Sequence, residues 1–144
     1  MIEINRDINI PETSFFLFGP RGTGKSTFVK RLIDKDSLYI DFLDPDTFRT
    51  YAAFPETLLK TINALKPVLV IIDEVQKVPQ ILDAVHKIME ERKIQFILTG
   101  SGARKLKKAG ADLLGGRALY CRMHPFTANE LEPFFHSIKH YRQD

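Results

Sequence analysis

A glycine-rich stretch, GPRGTGKST at residues 19–27, carries residue types that bind phosphate groups in proteins. It fits the pattern G-x-x-x-x-G-K-[ST], with Gly19, Gly24, Lys25 and Ser26 at the fixed positions. Glycines let the backbone curl so that successive N–H groups face inward, and a following helix adds its free N–H groups. The stretch therefore predicts a cradle for a di- or triphosphate. The alternative is a glycine-rich turn that exposes a lysine.

The side chains of this stretch have distinct expected roles. Lys25 supplies a mobile cation for the β- and γ-phosphates, and the Ser26 hydroxyl is offered to Mg²⁺. Thr27 lies one position further on and is expected mainly as a helix residue. The predicted nucleotide-binding set is Gly19, Pro20, Arg21, Gly22, Thr23, Gly24, Lys25, Ser26 and Thr27.

An acidic pair, Asp73 and Glu74, ends the apolar run VLVIID of residues 68–73. The carboxyl ends of parallel strands are where open α/β sheets bind ligands. Asp73 is expected to hold Mg²⁺, mostly through water, opposite Ser26. Glu74 is expected to polarise the water that attacks the γ-phosphate. The alternative for both acids is a solvated loop.

Strand-like and helix-like segments alternate along the chain, a pattern typical of a parallel sheet covered by helices on both faces. It predicts one domain, residues 1–144, with a five-stranded three-layer α/β/α sandwich. The predicted strands are residues 14–18, 38–42, 68–73, 94–99 and 118–123. The predicted helices are residues 25–33, two short helices within 44–65 broken near Pro55, then 79–92, 101–114 and 127–141.

The strand of residues 94–99 is expected to lie between the phosphate-loop strand and the acidic strand. Its polar exit would then point between Lys25 and Glu74. Ser101 is the first candidate to sense the γ-phosphate or position water, with Thr99 as the second candidate. A helix N-cap is the alternative role for Ser101.

Composition excludes several other classes of protein. The chain has 21 basic and 18 acidic residues, a formal net charge of +3, which does not support nucleic-acid binding. A single cysteine allows no internal disulfide. No signal peptide, lipidation motif or apolar run approaching the about 20 residues of a membrane span is present, so a cytoplasmic, soluble protein is expected.

Four segments together resemble the prokaryotic AAA+-type ATPases that usually carry a separate C-terminal domain of unknown function. They are GPRGTGKST, VLVIIDEVQKVP, FILTGSGARKL and LLGGRALYCRMHPFTANEL, and the similarity runs from about residue 14 to 133. The resemblance implies an ATP-binding and hydrolysing P-loop core with strand order 5-1-4-3-2. By position, it implies that Lys25 and Ser26 bind phosphate and Mg²⁺ and that Asp73 binds Mg²⁺. It also implies that Glu74 is the catalytic base and that Ser101 is the sensor.

The resemblance also implies an arginine finger at Arg117, just before the last strand, that reaches a neighbouring subunit of a homo-oligomer. A surface arginine or a structural ion pair is the alternative. The helical lid and the C-terminal effector domain of the family are expected to be absent from this chain. ATP is preferred over GTP because of the resemblance, and the guanine-selecting N/T-K-x-D signature is absent.

Three functions are compatible with these features. The first is Mg²⁺-dependent ATP hydrolysis, which the phosphate loop, the acidic pair and the polar strand exit favour. The second is a nucleotide-binding switch with little hydrolysis that acts through a partner, which the missing lid favours. The third is a truncated module that folds without activity.

Overall fold

The computed structural model describes residues 10–20, 24–102 and 117–123, together with Leu114 and the backbone of residues 2–4. The predicted helices at residues 101–114 and 127–141 lie outside the described residues, apart from Ser101, Gly102 and Leu114. None of the described helices is long and apolar enough to cross a membrane.

Six strands and four α-helices make up the described fold. The strands are β1 (Ile2–Ile4), β2 (Phe15–Phe18), β3 (Ser37–Asp41), β4 (Leu69–Asp73), β5 (Gln95–Gly100) and β6 (Leu119–Met123). The helices are α1 (Lys25–Lys30), α2 (Pro45–Ala53), α3 (Thr57–Leu65) and α4 (Ile81–Glu91), with a short 3-10 helix at Val75–Lys77.

The strands form one sheet in the order β1-β6-β2-β5-β4-β3, and every neighbouring pair is parallel. When the five predicted strands are numbered in chain order, their observed order is 5-1-4-3-2, which confirms the prediction. Strand β5 pairs with both β2 and β4, so it separates the phosphate-loop strand from the acidic strand as expected.

The sheet contains one strand beyond the five predicted, because β1 pairs with β6 at its edge. Ile2 lies opposite Cys121, and Ile4 lies opposite Met123. The segment mixes charged and apolar residues and is only 3 residues long, so its sequence carries little strand signal. Its pairing partner lies at the far end of the described chain, and local pattern cannot indicate such a contact.

Helices cover both faces of the sheet, which confirms the α/β class and the layered arrangement. On one face, Phe16 and Phe18 pack with buried residues of α2, α3 and α4. On the other face, Phe15 and Leu17 pack with Phe28 and Val29 of α1. The alternation follows from the strand period of two, since successive side chains point to opposite faces. Helix α1 therefore lies on the opposite face of the sheet from the other three helices.

The predicted pair of short helices before the acidic strand is confirmed as α2 and α3, separated by Phe54–Glu56. Asp44 caps α2: its carboxylate accepts hydrogen bonds from the Thr47 amide at 3.1 Å and the Thr47 hydroxyl at 2.7 Å. These bonds favour the ionised carboxylate and lower the pKa of Asp44. Its role is therefore the capping role that its position before Pro45 indicates.

Helix α1 is shorter than predicted and ends at Lys30 rather than Ile33. The amide of Arg31 bonds to the carbonyl of Phe28 at 3.2 Å, and the amide of Leu32 bonds to that of Val29 at 3.0 Å. These bonds to the third residue back tighten the last turn into 3-10 geometry and end the α-helix.

Candidate functional site

The phosphate loop begins, and the acidic pair lies, at the carboxyl ends of neighbouring strands of the sheet. Because β2, β5 and β4 are parallel, Gly19, Gly100 and Asp73 leave the sheet at the same edge. The Gly19 amide donates to the Gly100 carbonyl at 3.2 Å, which extends the pairing of β2 and β5 into the phosphate loop. The beginning of this loop is thereby fixed to the strand beside the acidic pair.

The end of the phosphate loop depends on a glycine at residue 24. Gly24 has φ 86° and ψ 18°, a left-handed conformation that glycine adopts without a steric penalty. It directly precedes α1, which begins at Lys25; Ser26 is half-buried there and Thr27 is exposed. Arg21, Gly22 and Thr23 of the predicted cradle lie outside the described residues.

Lys25 is buried and its ammonium group faces the loop and the acidic pair. The Nζ atom donates to the Gly19 carbonyl at 2.6 Å and to the Pro20 carbonyl at 3.3 Å. It also lies 4.0 Å from Oε2 of Glu74. Lys25 and Glu74 are therefore on the same side of the molecule, as a site shared between the loop and the acids requires.

Glu74 is buried and held in an unusual backbone conformation. Its φ of 60° and ψ of 52° lie in the left-handed region, which costs a residue with a side chain about 1 kcal/mol or more. Gln76 donates from Nε2 to Oε1 of Glu74 at 2.6 Å. The two carboxylate oxygens of Glu74 therefore face different groups, the Gln76 amide and the Lys25 ammonium.

Asp73 is only 1% exposed, and its carboxylate lies between two hydroxyl groups. The Tyr39 hydroxyl donates to Oδ2 at 2.6 Å, and the Thr99 hydroxyl donates to Oδ1. Thr99 Oγ1 also accepts a hydrogen bond from the Glu74 amide at 2.9 Å. One threonine hydroxyl thus connects both acids to strand β5.

The environment of Tyr39 keeps its hydroxyl protonated. Burial of the ring raises the pKa of Tyr39 far above its ordinary value, and the hydrogen bond to Asp73 raises it further. The phenol is therefore a hydrogen-bond donor to Asp73 throughout the physiological pH range.

Thr99 contacts the acidic pair directly, whereas the first-choice sensor, Ser101, does not. Ser101 follows β5, and its buried Oγ has no hydrogen-bond partner among the residues that the structure describes. Near the end of β5, Thr99 therefore contacts the acids, whereas the Ser101 hydroxyl is available to another group. The sensor role of Ser101 stays a prediction.

Sequence reasoning missed Tyr39 and Gln76. Tyr39 lies opposite Ile71 in the β3–β4 register, so Asp73 is its diagonal neighbour on the same face of the sheet. Only the register reveals that relation. Gln76 follows Glu74 by two residues in a tight turn, and only the backbone geometry at Glu74 brings its amide back to the carboxylate.

The donor atoms at this edge fit a magnesium ion. No lysine or arginine nitrogen of the described residues lies within 4.0 Å of the buried Asp73 carboxylate, and buried carboxylates are normally paired or bound to a metal. The described residues contain no cluster of three or more metal-ligating side chains. A carboxylate oxygen is the type of ligand that Mg²⁺ prefers, and Mg²⁺ takes most of its other oxygen ligands from water and phosphate.

Arg117 lies away from this group. It is exposed, its amide donates to the Leu114 carbonyl at 2.9 Å, and it precedes the first residue of β6, Leu119. In a parallel sheet the beginning of β6 is at the opposite edge from the exit of β4. Arg117 therefore does not join the acidic pair within the same chain.

The candidate site lies within a part of the chain that matches a known protein family. A family model described as an AAA domain matches residues 12–132 of this chain. The chain belongs to the AAA domain family. The matched range of the AAA domain includes the phosphate loop, the acidic pair, Thr99 and Arg117. No curated protein matches the chain significantly. Membership of the family makes this a nucleotide-binding P-loop domain of the ATPase type.

Removal of the Thr99 hydroxyl from the AAA domain is expected to destabilise the fold. Thr99→Val keeps the shape of the side chain but leaves the Glu74 amide and one Asp73 oxygen without their buried partner. Each unsatisfied buried group costs about 1–3 kcal/mol, so we expect the free energy of unfolding to fall by roughly 2–4 kcal/mol. Chemical denaturation measures the difference.

Thr99→Ser is the matched control, because it keeps the hydroxyl and removes one methyl group from a fully buried position. Its expected cost is about 1 kcal/mol. A Thr99→Val protein as stable as the Thr99→Ser protein would contradict the role assigned to the hydroxyl.

Proposed function

We propose that this chain binds ATP with Mg²⁺ and hydrolyses its terminal phosphoanhydride bond. The observation that carries the proposal is the position of Lys25, whose ammonium group lies between the phosphate-loop carbonyls and Glu74. A triphosphate in the loop would therefore extend toward the acidic pair. The site is built at the strand edge where open α/β sheets bind ligands.

In this proposal the loop of residues 19–27 binds the phosphates through its amides. Lys25 exchanges its contacts with the Gly19 and Pro20 carbonyls for the β- and γ-phosphate oxygens. Ser26 and Asp73 are the residues that would hold Mg²⁺. When bound, the ion neutralises charge that develops on the phosphate oxygens and orients the leaving group.

Glu74 is the proposed general base. Its carboxylate would orient the attacking water and accept its proton, a contribution that is commonly worth about 10²–10⁴-fold in rate. Gln76 holds one oxygen of this carboxylate and so restricts its direction. Ser101 is a proposed γ-phosphate sensor, since it follows the strand whose Thr99 contacts both acids.

A nucleotide-dependent switch with little hydrolysis is the second candidate. It is favoured by the engagement of both Glu74 oxygens, one with the Gln76 amide and one facing Lys25. A base held in this way must be released before it can accept a proton. In this function a protein partner responds to the nucleotide state of the chain. Contact with the partner releases the Glu74 carboxylate from Gln76 and Lys25.

Steady-state release of phosphate from ATP distinguishes the two candidates. The proposed hydrolysis predicts release that requires Mg²⁺ and saturates with ATP. The switch predicts saturable binding of a fluorescent ATP analogue with almost no release. A chain that neither binds the analogue nor releases phosphate would contradict both functions.

If Arg117 acts on a neighbouring copy of the chain, ATP hydrolysis per molecule should rise with protein concentration. An arginine that supports transition-state charge contributes about 10³-fold or more, so Arg117→Ala should remove most of the activity and its concentration dependence. Arg49→Ala is the matched control, because Arg49 is exposed on α2 and pairs with Asp46 on the same helix. Equal activity of Arg117→Ala and wild type would remove Arg117 from the mechanism.

A further inference from the structure

A tyrosine on the edge strand of the sheet reaches the buried carboxylate proposed to hold Mg²⁺. Tyr39 lies on β3 opposite Ile71 of β4, which places Asp73 diagonally across from it on the same face. Diagonal neighbours are within reach of a long aromatic side chain. The Tyr39 side chain reaches across to the neighbouring strand, and its hydroxyl donates to Oδ2 of Asp73 at 2.6 Å.

The ring of Tyr39 is also held by the helix that follows the phosphate loop. The ammonium group of Lys30, in the last turn of α1, lies 5.8 Å from the centre of the ring, within the range of a cation–π contact. Tyr39 is half-buried and packs against the cluster that contains Phe28 and Ile71. Its position is therefore determined at the ring and at the hydroxyl, so the phenol has little freedom to leave Asp73.

Two hydroxyl donors restrict the plane of the Asp73 carboxylate. Tyr39 bonds to one oxygen from β3, and Thr99 bonds to the other oxygen from β5. An ionised carboxylate offers about four lone-pair sites, so one site on each oxygen remains for water or a metal ion. Residues that orient a metal ligand in this way commonly change metal affinity by about 10–100-fold when they are mutated.

We propose that Tyr39 is a positioning residue that orients Asp73 for the magnesium ion of a bound Mg²⁺–nucleotide. The proposal rests on the proposed function, since it assumes that Asp73 faces Mg²⁺. Tyr39 does not contact the nucleotide and acts only through the Asp73 carboxylate. A purely structural Tyr39 would affect the stability of the fold but not its response to Mg²⁺.

The test is Tyr39→Phe, which removes the hydroxyl and keeps the ring beside Lys30. The affinity for a fluorescent ATP analogue is measured by titration in EDTA and at a series of Mg²⁺ concentrations. We expect the affinity in EDTA to stay within about twofold of wild type, because phosphate contacts of the loop are intact. We expect the Mg²⁺ concentration that gives half of the full change in analogue affinity to rise about tenfold.

Tyr51→Phe is the matched control, because it removes a tyrosine hydroxyl from α2. The Tyr51 ring packs against the Phe42 ring, with 5.7 Å between the ring centroids. This variant should leave the Mg²⁺ response unchanged. Circular dichroism and the affinity in EDTA report whether each variant is folded.

Two negative outcomes are distinguishable. If wild type responds to Mg²⁺ and Tyr39→Phe responds at the same concentrations, Tyr39 does not position Asp73, and the proposed function stands. If the affinity of wild type does not depend on Mg²⁺, both the proposed function and the role of Tyr39 are overturned. A fall in thermal stability with an unchanged Mg²⁺ response likewise overturns the positioning role.

Discussion

Lys25→Ala is expected to weaken ATP binding by roughly 100-fold. The Lys25 ammonium group is buried between the Gly19 and Pro20 carbonyls and the Glu74 carboxylate, so it is directed at the space where the phosphates would lie. Hydrogen bonds to charged groups contribute about 1.5–3 kcal/mol, and the upper end of that range corresponds to the expected loss. Equilibrium titration with a fluorescent ATP analogue measures it.

Lys87→Ala provides the control for the lost positive charge, because Lys87 is exposed on α4 and lies on the opposite layer from α1. It should bind the analogue as wild type does. Lys25→Ala should also hydrolyse ATP too slowly to detect. If Lys25→Ala bound ATP with the affinity of wild type, the glycine-rich stretch would be a turn with no role in phosphate binding.

Glu74→Gln is expected to lower kcat by about 10²–10⁴-fold while leaving ATP affinity within about threefold of wild type. The amide keeps the size of the side chain but cannot accept the proton of the attacking water. It also no longer attracts the Lys25 ammonium group 4.0 Å away, which leaves that group available to phosphate. Single-turnover hydrolysis and equilibrium binding separate the two effects.

Glu91→Gln, at an exposed position in the last turn of α4, is the matched control and should leave both quantities unchanged. Equal and substantial turnover by wild type and Glu74→Gln would mean that Glu74 is not the base. If both showed only trace activity while still binding ATP, the switch function would be favoured over hydrolysis.

The order of the sheet was implied by the resemblance to AAA+-type ATPases, whereas the apolar runs indicated which segments form strands. Residues 68–73 are apolar up to Asp73, as expected for a strand buried on both faces. The position of β5 between β2 and β4 was suggested because the strand at residues 38–42 intervenes along the chain, which leaves room for another strand between the two. Strand β1 was not predictable, because a short edge segment is stabilised by its partner β6 rather than by its own pattern.

The convergence of the loop and the acids could be predicted from sequence, but the contacts within the site could not. The loop and the acids each follow a predicted parallel strand, which placed Lys25 and Glu74 at the same edge of the sheet, and their separation of 4.0 Å agrees with that prediction. The contact between Tyr39 and Asp73 depends on a strand register, and the contact of Gln76 depends on the left-handed backbone of Glu74. These features arise from tertiary structure, and no local pattern encodes them.

Competition between nucleotides that differ only in phosphate number tests most directly whether the loop and the acids form a phosphate site. ATP, ADP, AMP and adenosine would each displace a fluorescent ATP analogue from the wild-type chain in Mg²⁺. We expect ATP and ADP to compete at concentrations about 100-fold or more below those of AMP and adenosine, since Lys25 and the loop amides bind the β-phosphate. Adenosine that competed as well as ATP would show that the phosphates do not anchor the ligand, and would contradict the proposed site.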